Sequence, residues 1–443
     1  MNAEVRPIKT AAETALAQSF AAVKGALPGA GAVGALREDA FRRFETEGLP
    51  HRRVEEWKYT DLRALMRDAK PLAGVPDAAA KARAKDALAM LDAIEARRIV
   101  FVDGALVPEF SDLSGLEAGL TVSSMAQALA AGDRDLLAHL GRIVPTDDVA
   151  VALNTAFMGD GAVIQVAPGA ALAQPIHLVF VNAGGAPSSV FARSLVVIGK
   201  GARAMLVESH VGSTASEDQV NTVLELKVGD EAHVDHIKIT GAGAGALHVS
   251  TLMAAIGAHA RFNEFLFTTG GAVVRNQAFV RFDGEGTIAG IRGASLLKGR
   301  QHADTTLLAD HATADCTSRE VFKSVLDEEG RSVFQGKIIV RPHAQKTDAK
   351  MATHALLLSE TAEADNKPEL EIFADDVQCG HGATSGALDE DLLFYLKARG
   401  IPAKEAQALL IQAFVGEAIE QIASDALREL AISAAQRWLA ARG

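Results

Sequence analysis

The sequence predicts a mainly β core, coiled as a parallel β-helix and flanked by N-terminal and C-terminal α-helical regions. Three observations carry this prediction. Segments near both ends have helical composition, short apolar runs dominate from about Val149, and turn-like segments recur at nearly constant spacing. Strand-rich repeats of this kind bury their apolar faces on neighbouring coils. A large β-sandwich with evenly spaced turns is the alternative.

The first region, residues 1–145, is expected to be mainly helical. Three stretches are rich in Ala, Leu, Lys, Glu and Arg with helix-like spacing, at residues 11–27, 35–47 and 78–97. Gly and Pro at residues 28–29 and 48–50 separate them. Residues 98–107 change to strand character, and Asp103-Gly104 predicts a hairpin turn within them.

The second region, residues 146–386, contains the repeat that predicts the coil. Five turn-like segments each lie between strand-like runs, and their last residues are 32, 30, 28 and 27 positions apart. They are Ala167-Pro-Gly-Ala170, Gly199-Lys-Gly-Ala202, Gly229-Asp-Glu-Ala232, Gly257-Ala-His-Ala260 and Gly284-Glu-Gly-Thr287. Residues 161–192 and 239–260 carry no charged side chain but are interrupted by Gly and polar residues, which predicts buried strands rather than membrane helices.

The third region, residues 387–443, is predicted to be helical again. Asp389 is a suitable N-cap for a helix, and Gly400 lies just beyond that helix. Pro402 suits the start of a second helix over residues 403–422. Residues 425–441 form a third candidate.

Composition excludes several classes of partner. The formal charge of −12 argues against nucleic acid and against an anionic membrane surface. Two cysteines cannot build a disulfide framework, so we expect a reducing compartment and a cytoplasmic location. The first nine residues lack the basic-then-apolar order of a signal peptide.

The most informative motif is Asp375-Asp-Val-Gln-Cys-Gly-His381, which is followed by Gly-Ala-Thr-Ser-Gly. In an extended backbone, Cys379 and His381 project from the same face. A thiolate and an imidazole are ligands for zinc and for iron–sulfur clusters. The alternative is a small buried cysteine beside a hydrogen-bonded histidine. Because the chain has few other thiolates, a cluster site here would have to be completed by another subunit.

Other candidate ligands give weaker signals. Cys316, His302 and His311 are close in sequence and allow a second metal site, but a satisfied polar strand edge is the favoured explanation. The acidic stretch over residues 360–376 is either a solvated face or a region that attracts metal cations. The chain has no phosphate-binding loop, dinucleotide motif or nucleophile elbow, so we expect no nucleotide on this chain and no hydrolytic triad.

Several longer segments resemble the SufD component of the SUF iron–sulfur cluster assembly system, in the SufB/SufD family. The strongest is Lys367-Pro-Glu-Leu-Glu-Ile-Phe-Ala-Asp-Asp-Val-Gln-Cys-Gly-His-Gly-Ala-Thr-Ser-Gly386. Similar likeness is found in Cys316-Thr-Ser-Arg319, Val333-Phe-Gln-Gly-Lys337, Val340-Arg-Pro342, Gln345-Lys-Thr-Asp348, Leu392-Leu-Phe-Tyr-Leu-Lys-Ala-Arg-Gly-Ile401 and, near the N-terminus, Glu55-Glu-Trp-Lys-Tyr-Thr-Asp-Leu62. The resemblance therefore spans most of the chain.

The resemblance implies a right-handed β-helix and a noncatalytic scaffold that pairs with a SufB-like subunit and docks a SufC-like ABC ATPase. It implies that Cys379 and His381 lie at the SufB interface and contribute to an iron–sulfur cluster that is transient and shared. His381 is then the preferred ligand. The implied ATPase contacts are Leu392, Phe394, Tyr395, Leu396, Arg399 and Ile401. The sequence also allows a homodimer of the isolated chain, and it identifies no residue for an organic cofactor.

A β-helix enzyme acting on a carbohydrate or acyl substrate is the alternative function. A left-handed acyltransferase-type coil would show a six-residue aliphatic repeat, which is absent. A polysaccharide-cleaving groove would need aromatic side chains, and these make up only 5% of the chain. Both observations favour the scaffold.

Overall fold

The computed structural model describes residues 9–89, 91, 94–212 and 216–442. Most of the segment used to predict the lack of a signal peptide lies outside these residues. The helices are α1 Ala11–Val23, α2 Ala32–Glu47, α3 Leu62–Leu65, α4 Ala78–Ala89, α5 Met125–Ala131, α6 Arg134–His139, α7 Val149–Phe157, α8 Glu390–Ala398, α9 Ala403–Ile419 and α10 Asp425–Ala440.

The strands form the central part of the molecule. They are β1 Arg97–Val102, β2 Ala105–Leu106, β3 Leu120–Ser124, β4 Ala162–Val166, β5 Ile176–Asn182, β6 Ser189–Ile198, β7 Arg203–Gly212, β8 Gln219–Val228, β9 His233–Gly241, β10 Leu247–Ile256, β11 Arg261–Thr268, β12 Val273–Phe282, β13 Ile288–Leu297, β14 His302–His311, β15 Thr317–Leu326, β16 Arg331–Val340, β17 Asp348–Leu357, β18 Glu363–Ile372 and β19 Gln378–Gly386.

From β4 onward, consecutive strands alternate between two sheets. Sheet A has the order β18-β16-β14-β12-β10-β8-β6-β4-β3, and sheet B has the order β19-β17-β15-β13-β11-β9-β7-β5-β1-β2. Each coil from β4/β5 to β18/β19 therefore adds one parallel strand to each sheet. This topology confirms the predicted parallel β-helix over the β-sandwich, which would pair antiparallel strands. The right-handed sense of the coil stays a prediction from the resemblance.

The predicted turn segments lie at the corners between the two sheets. The glycine that begins a turn allows close stacking of coils: a Cβ on Gly284 would come within 1.9 Å of the Ala258 backbone nitrogen. The third residue of each turn has a positive φ, which favours Gly but is also adopted here by other residues. These residues are Gly169, Gly201, Glu231, His259 and Gly286, and the pattern continues at Asp315 and Lys346 in two later turns.

Three layers of apolar packing hold the molecule together. The largest core lies between the two sheets, where side chains such as Ile256, Phe262 and Phe282 are almost fully buried. Helices α1, α2, α5 and α7 cover the outer face of sheet A, whereas α4, α9 and α10 cover part of the outer face of sheet B. The flanking α-helical regions are thus confirmed, and each one buries a sheet face that would otherwise be exposed.

The boundaries of the flanking helices differ modestly from expectation. Helix α1 begins at Ala11 behind a capping box formed by Thr10 and Glu13. Helix α4 ends at Ala89 instead of continuing to Arg97, because Arg97 already belongs to β1. The hairpin at Asp103-Gly104 is present, with β1 and β2 antiparallel. Across the described ranges, no helix is both long and apolar enough to span a membrane.

Candidate functional site

Cys379 and His381 lie on β19, the edge strand of sheet B. In the parallel ladder, Cys379 pairs with Ala349 and His381 pairs with Met351. Both partners are buried in the core between the sheets, so the two ligand candidates project from the inner face of the coil. Because no further coil follows β19, Cys379 is only half-buried and His381 is exposed. The expected side-by-side arrangement is therefore present, at an open end.

The glycines on either side of His381 do not form a tight turn; they leave the backbone of the strand uncovered by side chains. Gly380 and Gly382 lie in regular strand, and a Cβ at either position would meet nothing within 4 Å. Neither has a positive φ among the described residues. The strand is therefore uncovered on its outer face, and another chain can approach its backbone closely.

The thiol of Cys379 is not activated within this chain. Burial raises its pKa, a hydrogen bond from the Ala349 backbone N–H opposes this, and the carboxylates of Asp348 and Glu320 raise it further. The thiol form therefore predominates at neutral pH unless a metal displaces the proton. In the part of the chain that the structure describes, no group of three or more His, Cys, Asp or Glu side chains is placed to hold a metal ion.

A buried carboxyl lies beneath this open end. Glu320 is on the same inward-facing ladder as Met351 and His381, on the strand before β17 in sheet B. It is fully buried, and neither of its carboxylate oxygens has a hydrogen-bond partner among the described residues. Burial raises the pKa of Glu320 to about 7.

The other predicted metal ligands are structural. Cys316 occupies the last position of the turn before β15, is fully buried, and its Sγ donates weakly to the carbonyls of Gly284 and Ala314. The ring of His311 stacks on Phe282 at 4.0 Å, and burial lowers the pKa of His311 to about 4. His302 is hydrogen-bonded to Thr60. The structure thus favours the polar strand edge over a second metal site.

The acidic stretch before Cys379 is largely neutralised by basic residues of neighbouring strands. Asp365 pairs with Arg331 at 2.6 Å, and Glu371 pairs with Lys337 at 3.0 Å. Asp376 pairs with Lys346. These contacts make the stretch a solvated, ion-paired face rather than a cation trap.

Helix α8 carries four of the residues expected to dock the partner, with Arg399 and Ile401 just beyond its end, and it has no buried residue. Asp389 caps it as expected, accepting a hydrogen bond from the Leu392 backbone nitrogen. Phe394 is 72% exposed, and Tyr395 is 52% exposed with the guanidinium of Arg399 4.3 Å from its ring centre. Leu392 is also exposed, whereas Leu396 and Ile401 are half-buried. This apolar, uncovered helix follows directly after β19.

Sequence reasoning missed a polar cluster buried inside the coil. His236 donates from Nδ1 to Glu264 at 2.6 Å, and its Nε2 lies 3.6 Å from Glu208. Burial lowers the pKa of His236, but Glu264 and Glu208 outweigh it and raise the value to about 10. Lys238 lies in the same cluster and donates to Asn276 at 2.9 Å. His236 and Glu264 are 28 residues apart and share one ladder, so aligning the repeats would have paired them.

These features define a class: a parallel β-solenoid with one uncapped end, an incomplete Cys/His ligand pair on its edge strand and an uncovered apolar helix beside it. Two family models match the chain. One describes the SUF system FeS cluster assembly SufBD core domain and matches residues 179–414, and the other describes the SufBD protein N-terminal region and matches residues 22–178. The chain belongs to the SufBD family of the SUF iron–sulfur cluster assembly system.

Individual relatives agree with this assignment. An iron–sulfur cluster assembly SufBD family protein of Synechocystis is 35% identical, over 84% of this chain and 84% of the relative. The iron–sulfur cluster assembly protein SufD of Escherichia coli is 33% identical, over 86% of this chain and 87% of the relative. The iron–sulfur cluster assembly protein SufD of Bacillus subtilis is 25% identical, over 65% of this chain and 66% of the relative. The resemblance to SufD is confirmed.

Proposed function

We propose that this chain is a noncatalytic scaffold subunit of an iron–sulfur cluster assembly complex. Its open end pairs with a SufB-like subunit, α8 and its surroundings dock a SufC-like ABC ATPase, and His381 with Cys379 contributes to a cluster site shared between subunits. The observation that carries the proposal is the position of this ligand pair on the exposed edge strand of an uncapped solenoid. The division into a helical region 1–145, a coil 146–386 and a docking region 387–443 belongs to the same proposal.

The two edge strands support a subunit interface at this end. All residues of β18 and β19 are exposed or half-buried, unlike the parallel strands β4 to β17, each of which has buried residues. Every second N–H of an edge strand points away from its inner neighbour and lacks a ladder partner. In β18, Pro368 occupies one of these outward positions and has no N–H to donate, whereas β19 contains no proline. Strand β19 is therefore the better edge for pairing with another chain.

The chemistry of the ligand pair supports a shared cluster. Iron–sulfur clusters are held mostly by four thiolates, and this chain offers one half-buried thiol and one exposed imidazole at the open end. His381 is the more available ligand, because Cys379 packs against the core and its pKa is raised. The partner subunit must supply the remaining ligands, so the cluster is cargo assembled at the interface rather than a resident cofactor.

The C-terminal helices link the docking surface to the coil. Lys323 on β15 pairs with Glu417 on α9, and its ammonium lies 4.6 Å from the centre of the Phe414 ring. Helix α9 also packs on β13 and β15. ATP binding by docked ATPases would pull on residues 388–414 and shift the adjacent strands, which opens or rearranges the interface that holds Cys379 and His381.

Anaerobic reconstitution tests the shared site. The chain is incubated with iron and sulfide, first alone and then with SufB-like and SufC-like partners, and visible absorbance is recorded. We expect cluster bands only in the mixture, weakened by His381→Ala and unchanged by the control His233→Ala at a surface position outside this end. Circular dichroism verifies that both variants are folded.

Two results would contradict the proposal. Bands of full intensity with His381→Ala, in a complex shown to form, would remove His381 from the site. Bands on the isolated chain would show that its own thiols suffice, either within one copy or across a homodimer.

A further inference from the structure

Part of the outer face of sheet B is left uncovered in the described part of the chain. The helices on this sheet pack against later outward positions of its strands, among them Phe267 of β11, Ala294 of β13 and Val325 of β15. The first two outward residues of the strands β7, β9, β11, β13, β15 and β17 are exposed or half-buried, apart from Gly290. Because parallel sheets usually have both faces covered, this bare face is a candidate surface for another chain.

The uncovered face is positively charged, although the chain as a whole carries a formal charge of −12. Four cations and two carboxylates occupy the first two outward positions, and one more cation occupies the third outward position of β13. The cations are Arg203, Arg261, Arg319, Lys350 and, on β13, Arg292, and the carboxylates are Asp235 and Asp348. We call these side chains together the basic face. A positive patch on an acidic chain attracts partners with carboxylates.

Most of the cations on the basic face are not neutralised by the chain itself. Arg319 pairs with Asp348 at 2.6 Å, and Lys350 lies 4.0 Å from the same carboxylate. The other three make neither an ion pair nor a side-chain hydrogen bond within the described ranges: Arg203, Arg261 and Arg292. The acidic stretch before Cys379 is different, because basic residues of neighbouring strands neutralise it. The basic face therefore keeps cations that are free to bind an anionic group.

Arg292 gives a second, independent indication of a ligand. A Cβ at Gly290 would lie 2.1 Å from Nη1 of Arg292, so the guanidinium packs over backbone that only glycine leaves bare. Arg292 is half-buried, and burial lowers its pKa, whereas Glu320 on the inner face of the sheet opposes this shift. A guanidinium that has lost water without gaining a carboxylate is costly, and an incoming carboxylate would supply the missing hydrogen bonds.

The spacing of the basic face fits an extended peptide. Arg203 and Arg261 occupy the same row two strands apart, since both pair with His233 in the ladder. Strands are about 4.8 Å apart, so these two residues are separated by roughly 10 Å, which an extended segment spans with about three residues. Ile288 follows Arg261 in the row and is 44% exposed, so it offers an apolar contact. Duplex DNA fits less well, because its charge every 1.7 Å or so would be repelled by the acidic remainder of the chain.

We propose that the basic face binds an extended, acidic segment of another protein, with carboxylates on Arg203, Arg261 and Arg292 and an aliphatic side chain on Ile288. The planar guanidinium of Arg292 suits a carboxylate that accepts two parallel hydrogen bonds, so it is the central contact. This proposal goes beyond the cluster site and does not depend on it, because none of these residues lies on β19 or α8.

The test is a titration of the full chain against a fluorescent peptide, followed by anisotropy at low salt. The peptide is Glu-Leu-Gln-Glu-Leu-Gln-Glu with both ends blocked, so that its carboxylates are three residues apart. The same peptide with Gln in place of every Glu is the neutral control, and a labelled DNA duplex tests a nucleic-acid ligand. We expect saturable binding of the acidic peptide alone, weakened at least about tenfold between 20 mM and 300 mM salt because salt screens exposed charges.

Variants locate the binding surface. Arg261→Gln and Arg292→Gln are each expected to weaken binding of the acidic peptide several-fold, and the double variant is expected to abolish it. Arg300→Gln removes the same charge at an 88% exposed side chain outside the basic face and should leave binding unchanged. Circular dichroism verifies folding, and the exposed position of Arg261 keeps the test valid if Arg292→Gln fails to fold.

Four results would each overturn the proposal. The first is absence of saturable binding, and the second is equal affinity for the neutral peptide. The third is tighter binding of the duplex that is lost in the same variants, which would make the surface a nucleic-acid site. The fourth is unchanged binding by the folded Arg261→Gln and Arg292→Gln variants.

Discussion

The two ends of the solenoid are built in opposite ways. At the first end, β3 pairs antiparallel with β4 and β2 folds back antiparallel on β1, so the parallel ladder is closed by its own chain. All nine residues of α7 beside it are buried. At the last end, β18 and β19 are open edges without a single buried residue. A stack of coils needs a cap at each end to stay soluble, and the described residues supply only one.

The compositions of the two ends explain this difference. Strand β1 reads Arg-Arg-Ile-Val-Phe-Val, whereas β19 is made of small and polar residues. An open end of small polar residues tolerates water without inviting unspecific aggregation, and it still presents backbone groups to a specific partner. The closed end therefore stabilises the fold, and the open end is available for function.

The largest expected effect comes from breaking a buried ion pair near the closed end. Arg193 and Glu225 are fully buried and 2.6 Å apart, and Glu225 also accepts from the Gly141 backbone nitrogen. Glu225→Gln leaves the Arg193 charge without its counter-ion and should lower the free energy of unfolding by about 3–5 kcal/mol. Urea denaturation followed by circular dichroism measures the loss.

The matched change at the open end is Asp376→Asn, which breaks the solvent-exposed pair with Lys346. Because water and salt screen exposed charges, the urea midpoint of unfolding of this variant should equal that of the wild type. Equal losses in the two variants would contradict the view that the closed end carries the stability.

The next prediction concerns pH and compares two buried carboxyl groups on the same ladder, Glu320 and Glu264. Glu320 has a pKa of about 7 in the folded state against an ordinary value of 4.5, so the folded state holds a proton that the unfolded state has released. Wild-type stability therefore falls as pH rises from about 4.5 through 7. Glu320→Gln should match wild type below pH 4.5 and be more stable by roughly 3 kcal/mol above pH 7.

Glu264→Gln is the control for this prediction. Glu264 accepts from His236 at 2.6 Å and is therefore partnered, unlike Glu320. The same substitution should destabilise the protein at neutral pH, because it removes the counter-ion of a buried imidazolium. If Glu320→Gln also destabilised the protein at pH 8, the interactions of the Glu320 carboxylate with Ser318 and with its own backbone would outweigh the cost of its burial.

A proline on β19 tests the open edge itself. The backbone N–H of Gln378 bonds to Thr347 on β17, so the alternate residues Cys379, His381 and Ala383 direct their N–H groups outward. Ala383→Pro removes one outward donor without touching the inner ladder. It should weaken binding of a SufB-like partner by about 2 kcal/mol, roughly thirtyfold, and leave the urea midpoint unchanged.

Ala383→Val, which keeps the N–H, is the matched control in the same titration. Wild-type affinity of the proline variant would show that pairing uses β18 or side chains rather than the β19 backbone.

The sequence predicted the coil well because its corners are nearly periodic. It missed the turns ending at Cys316 and Thr347, because these contain no Gly; their third residues, Asp315 and Lys346, adopt the positive φ that Gly usually supplies. Cys316 was consequently considered a metal ligand, although it fills the corner position held by Ala in earlier turns. The extended conformation at Cys379 and His381 followed from local pattern alone.

The buried polar cluster and the packing of the N-terminal region on sheet A were not predicted, because both depend on contacts between distant segments. His236 meets Glu264 only through the register of adjacent coils. Trp57 and Gln277 meet Asp148 only after the N-terminal region has packed on sheet A. Alignment of the repeats would have revealed the first contact, but no periodicity of the sequence contains the second.

The smallest expected effect concerns α8, the uncovered helix that continues from the open end. Tyr395→Asp places a charge in an exposed apolar patch and removes the contact of the ring with Arg399, so it should weaken binding of a SufC-like ATPase by about 1 kcal/mol, roughly fivefold. Co-purification and titration with the ATPase measure the change, with Val75→Asp as a control at a 90% exposed residue outside this helix. Since α8 has no buried residue, the thermal midpoint should not move. If only Val75→Asp reduced binding, the docking surface would lie on the closed half of the molecule, and the two ends would have to exchange the roles proposed for them.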